Sequence, residues 1–126
     1  MRDELIAGII FAAMCAVFVL NGYAVNDCTK SVYEQAESFK TAIDSGNAGQ
    51  IERSTELLAK SWEKKMKNIS YSCQHSQIDA IEDQIFSAVH YAERKQYEKA
   101  RYKACKAQYL LSDLSKSEKL RLDNIF

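Results

Sequence analysis

Leu5 to Leu20 reads LIAGIIFAAMCAVFVL, sixteen residues without a charge or a strong hydrogen-bonding side chain. At about 1.5 Å per residue this covers roughly 24 Å. Continuing the helix through Asn21, Gly22, Tyr23, Ala24 and Val25 brings it to about 32 Å, enough for a hydrocarbon core of ~30 Å. Tyr23 then falls at the interface, where aromatic rings with a polar tip are favoured, and Arg2, Asp3 and Glu4 close the other end. The first reading is a transmembrane helix over residues 5–25, with the lipid bilayer as its partner. A cleaved signal peptide competes with it, since Gly22-Tyr23-Ala24 offers small residues at the two positions a signal peptidase reads. Against cleavage near Ala24, the apolar stretch is long for a signal-peptide core and Asn21 interrupts its end. Met14 and Asp27 precede Cys15 and Cys28, so neither cysteine follows a convincing lipobox. Arg2 and the amino terminus are the positive charges before the span, and Lys30 and Lys40 follow only at a distance. This places the N-terminus inside and the bulk of the chain outside.

Outward from the span, Val32, Ala36, Phe39 and Ile43 recur at helical spacing, so the first helix is expected to continue out of the membrane. Ser45-Gly46-Asn47-Ala48-Gly49 reads as the clearest loop. Ile51, Leu58, Trp62, Met66 and Ile69 then make one stripe on a second helix, with Trp62 as its core anchor, and a break is expected around Tyr71 to Gln74. A third helix carries Ile78, Ile81, Ile85, Ala88, Val89 and Ala92, and Arg94 to Gln96 reads as a tight connection. A fourth carries Tyr97, Ala100, Ala104, Ala107 and Leu111, its alanines suited to close helix packing. Ser115 and Glu118 have capping-box spacing and predict the start of a short last turn, after which Leu120 to Phe126 folds back on the core. Short connections make neighbouring helices antiparallel. The expected fold is all-α: an N-terminal anchor, residues 1–25, leading into an antiparallel bundle of about four helices, residues 26–126.

Composition agrees with that outline. The 126 residues hold no Pro and 4 Gly, and 47% are hydrophobic, which argues against a turn-rich β-sandwich and against a disordered chain. With 17 Lys+Arg against 17 Asp+Glu the net charge is zero, so no nucleic-acid partner is expected. The charges are nonetheless sorted by helix. Asp79, Glu82, Asp83 and Glu93 lie in a stretch without Lys or Arg, whereas Arg94, Lys95, Lys99, Arg101, Lys103 and Lys106 follow against Glu98 alone. Two adjacent helices with complementary faces would account for this. The sharper alternative is a contact for anionic headgroups or an acidic partner through Lys95, Lys99, Arg101, Lys103 and Lys106.

Candidate chemistry is sparse. Cys15 reads as a small packing residue within the span. With a turn near Asn47, Cys28 lies level with about residue 67, close to Cys73, so Cys28–Cys73 is the best-placed disulfide pair; free thiols are the competing state. Cys105 falls well away from Cys73, and no Cys-x-x-Cys spacing supports a redox enzyme or zinc ribbon. His75, Asp79 and Glu82 have the helical spacing of a metal site or acid–base pair, but a capping or packing role at a helix start competes with that reading. His90 reads as a solvated residue, and Asn68-Ile69-Ser70 matches a short glycosylation sequon. No phosphate loop, nucleophile elbow or HExxH occurs.

The apolar Leu5–Leu20, Trp62, the run His75-Ser76-Gln77-Ile78-Asp79-Ala80-Ile81-Glu82, then Gln96-Tyr97-Glu98-Lys99-Ala100, and the closing Leu122-Asp123-Asn124-Ile125-Phe126 together resemble a domain-of-unknown-function family of small bacterial proteins. Each member has one N-terminal apolar segment and a helical remainder. The resemblance implies this architecture and brings no established activity, no cofactor and no support for a disulfide; by association it points to an envelope role in a Gram-positive cell, linked to sporulation. The expected function is a membrane-anchored interaction or scaffold module of the bacterial envelope, without catalysis, that binds a protein partner or itself. The alternatives are a secreted helical protein released at Ala24 and a metal-binding protein or hydrolase using His75, Asp79 and Glu82.

Overall fold

The computed structural model describes residues 2–66 and 75–125, and among these there is no strand. Helix α1 spans Arg2–Ser45 (44 residues), α2 spans Ala48–Ser61 and passes into a π-helical turn at Trp62–Met66, α3 spans His75–Glu93 and α4 spans Tyr97–Ile125. The break expected at Tyr71 to Gln74, Ile69 of the second stripe, Cys73 and the sequon lie outside the described residues.

Helix α1 is unbroken from the apolar stretch into the domain, and its environment changes along its length. Leu5, Ile9, Phe11, Met14, Val17 and Leu20 are all more than half exposed, whereas Val32, Ala36 and Phe39 are fully buried. The turn that follows is shorter than the expected loop. Gly46 takes φ 72° to end α1, and its N–H donates to Ile43 O at 3.1 Å. Asn47 then caps α2, its Oδ1 accepting from the N–H groups of Gly49 (3.0 Å) and Gln50 (3.2 Å). Ala48 and Gly49 belong to the first turn of α2 because that cap satisfies donors the helix leaves unpaired.

On α2 the buried stripe is Ile51, Thr55, Leu58 and Trp62. Thr55 fills the seven-residue gap in the apolar pattern, and its hydroxyl donates to Ile51 O at 2.6 Å, so its polarity costs little. Trp62 is 4% exposed. Helix α1 packs on both α2 and α4, and α3 packs on the same two helices. Ala100, Ala104 and Ala107 are fully buried where α4 meets its neighbours, which lets the backbones approach closely. Phe39, Leu58, Ile81, Ile85, Leu111 and Leu114 fill the interior between them.

Two sequence expectations fail in α4. No helix starts at Ser115: α4 runs on to Ile125, because Leu111 and Leu114 are both buried and no Pro or Gly interrupts the chain. Nor does the tail fold back. It continues the helix, and Leu120 is 63% exposed; Phe126 lies outside the described residues.

Candidate functional site

The turn that positions α4 is formed by Arg94 to Gln96. Gln96 N–H donates to Tyr91 O (2.8 Å) and Lys95 N–H to Ala92 O (3.0 Å), the paired bonds of a Schellman cap. Lys95 occupies its left-handed position at φ 61°, where glycine is usual.

From this turn α4 runs back along α1, and two contacts fix the register. Arg101 grips Asp44 with two bonds, Nε to Oδ1 at 2.9 Å and Nη2 to Oδ2 at 3.3 Å. Seven residues further on, Gln108 meets Glu37, seven residues earlier than Asp44. Gln108 Nε2 donates to Glu37 Oε2 (2.8 Å) and to Tyr33 O (3.3 Å), and its Oε1 accepts from Lys40 Nζ (2.7 Å). Gln108 is 5% exposed, so it is a buried amide with its hydrogen-bonding groups engaged. The Gln108 amide, and then Lys40, hold the Glu37 carboxyl below the usual glutamate range. Asp44 likewise raises the guanidinium pKa of Arg101.

The five cations read as an anionic-surface contact do not share one role. Arg101 faces α1, on the opposite side of α4 from Lys99 and Lys106. Lys99 Nζ lies 5.7 Å from the Tyr91 ring centroid and Lys106 Nζ 5.3 Å from that of Tyr102. Lys103 is half-buried, and Lys95 is exposed at the turn. Of the metal candidates, Asp79 is exposed and Glu82 half-buried, while the His75 side chain lies outside the described ones. Among the described residues no group of three or more His, Cys, Asp or Glu side chains is placed to hold a metal ion. Cys28 is a free, half-buried thiol against the core, and burial pushes its pKa up; its expected partner Cys73 is not among the described residues.

Two open grooves flank α2. One of about 620 Å³, against α1, is lined by Glu34, Ser38, Thr41, Arg53 and Leu57. The other, about 600 Å³ and against α3, has Ile51, Val89 and Ala92 as its floor and Glu52, Glu56 and Glu93 at its rim. The sequence reading does not single out Gln108. Gln108 was detectable as a polar residue four after Ala104 and three before Leu111, at a position the apolar stripe reserves for the core.

A family model described as Domain of unknown function (DUF4363) matches residues 18–125. The chain belongs to this family. The DUF4363 match begins inside the apolar half of α1 and runs to the end of α4, so the whole helical domain and the last part of the apolar stretch form one family unit. No curated protein and no solved structure matches the chain. The stretch Arg2–Leu20 that precedes and overlaps the match is long and apolar enough to cross a membrane, and none of it is buried.

Proposed function

We propose that this DUF4363 protein is a single-span membrane protein of the bacterial envelope. Residues 5–25 cross the bilayer, and residues 26–126 form an up-and-down four-helix bundle outside the cytoplasm that works by protein contact, without catalysis. One observation carries the reading: α1 is a single helix whose stretch Arg2–Leu20 is strongly apolar with none of it buried, and whose second half is a core helix of the domain. A water-exposed surface of that size is unfavourable, and lipid is the environment that suits it. Continuity of α1 also supports retention over cleavage at Ala24, because proteases favour exposed, non-helical segments.

Intact cells treated with a membrane-impermeant maleimide test the orientation. Labelling of Cys28 or Cys105 before lysis is expected. Labelling only after lysis would put the domain in the cytoplasm, and recovery of the protein from the medium with Val25 as its first residue would replace the anchored reading by the secreted one. Capture of the full-length protein from envelope extracts with neither a partner nor self-association would count against a contact role.

A further inference from the structure

Asp79, Asp83, Phe86 and His90 follow at steps of four, three and four along α3, and all are exposed, Phe86 to 52%. Tyr91, under Lys99, marks the side of α3 that faces α4. At about 100° per residue the acidic ridge starts roughly a quarter-turn round from Tyr91 and extends away from α4. The acids of α3 and the cations of α4, so clearly sorted in the sequence, therefore do not face each other within the chain. On α4 the outward ridge is Lys99, Tyr102, Lys106 and Tyr109, with Tyr102 58% and Tyr109 72% exposed. Lys106 lies over the Tyr102 ring and restrains both side chains.

Around Phe86 and Asp83 the two ridges match in height as well as in charge. Taking Tyr91 and Lys99 as level, and the helices as running in opposite directions from their three-residue turn, Phe86 is level with Ala104, between Tyr102 and Lys106 on the ridge. Asp83 is level with Ala107, next to Lys106, and His90 is level with Ala100, next to Lys99. Asp79 is level with Leu111, between Tyr109 and Asp113; Glu98 is a second exposed acid on this side of α4, so the charge match lies at Asp83 and Lys106. Copies anchored in one membrane share direction and height, so these residues face each other when α3 of one copy lies against α4 of the next.

We propose that copies of this chain associate side by side in the membrane, the α3 ridge of one on the α4 ridge of its neighbour, with Phe86 seated between Tyr102 and Lys106 and Asp83 paired with Lys106. The inference rests on the anchored reading. Exposed Phe86 beside Asp83 on one ridge and exposed Tyr102 beside Lys106 on the other complement each other between copies, and aromatic residues within matched charges are what protein interfaces use as anchors. The two surfaces differ, so the contact is head-to-tail and closes into a ring or continues as a row.

The test uses the full chain with p-benzoylphenylalanine in place of Phe86, photolysed in carbonate-washed membranes. A covalent dimer whose cross-link maps to Tyr102–Tyr109 of the neighbour is expected. Asp83→Lys alone and Lys106→Asp alone should each lower the dimer yield by about tenfold or more, and co-expression of the two variant chains should restore it, since opposite charges then meet only between chains. A cross-link to a different protein, no dimer, or no restoration in the mixture overturns the proposal while leaving the anchor intact. Loss of the chain from the membranes on washing overturns the anchored reading and, with it, the height match.

Discussion

Gln108 is the buried polar residue that sets how α4 lies on α1. Its amide makes three bonds to Tyr33, Glu37 and Lys40, so Gln108→Ala removes side-chain packing and the α1–α4 hydrogen bonds together. The expected loss is about 1–3 kcal/mol, measured by urea denaturation. Glu37 gives this contact a pH dependence of defined sign. Its folded-state pKa is lowered, so its contribution is present above the unfolded glutamate value of about 4.3 and is lost as pH falls through the folded value. The stability gap between wild type and Glu37→Gln should therefore be flat from neutral pH down to about pH 5 and close below about pH 4. The two turns make a paired prediction. Lys95 holds φ 61° with a side chain that disfavours it, so Lys95→Gly should stabilise the protein by about 1 kcal/mol; Gly46→Ala, at φ 72°, should cost a similar amount. Gly46 was legible as a helix stop in the sequence, but nothing in the sequence marks a lysine as left-handed.

At the scale of elements, the apolar stripes of α1, α3 and α4 could be read directly, because each places its core residues at steps of three and four. Helix α2 was legible only in part. Thr55 belongs to its buried face but is polar, and becomes a core residue only through its bond to Ile51. The π-helical turn at Trp62–Met66 has no sequence signal at all. The Ser115–Glu118 capping signal was real but local, and burial of Leu111 and Leu114 outweighed it. Trp62→Ala should cost about 3–5 kcal/mol in thermal or urea unfolding, as expected for a 4% exposed indole in the core. Ala104→Leu should cost about 1–3 kcal/mol for the opposite reason, since α4 has no room for extra methylenes where it is fully buried. The candidate contact surface was legible as composition, acids before Arg94 and cations after it. That they turn away from each other depends on the rotation of α3 about its axis, which only packing decides.

At the scale of the whole molecule, one helix carries two kinds of surface. Over 44 residues, about 66 Å, α1 supplies both the unburied apolar stretch and a core face of the domain, and α4 packs back along that core face. In the anchored reading this continuity holds the domain upright on its span, the arrangement a lateral contact between neighbouring copies requires. The most direct test of this account is the intact mass of the protein recovered from carbonate-washed membranes. The expected result is the full 14.3 kDa chain in the membrane pellet. A chain that washes into the supernatant, or one shortened to begin at Val25, would contradict it.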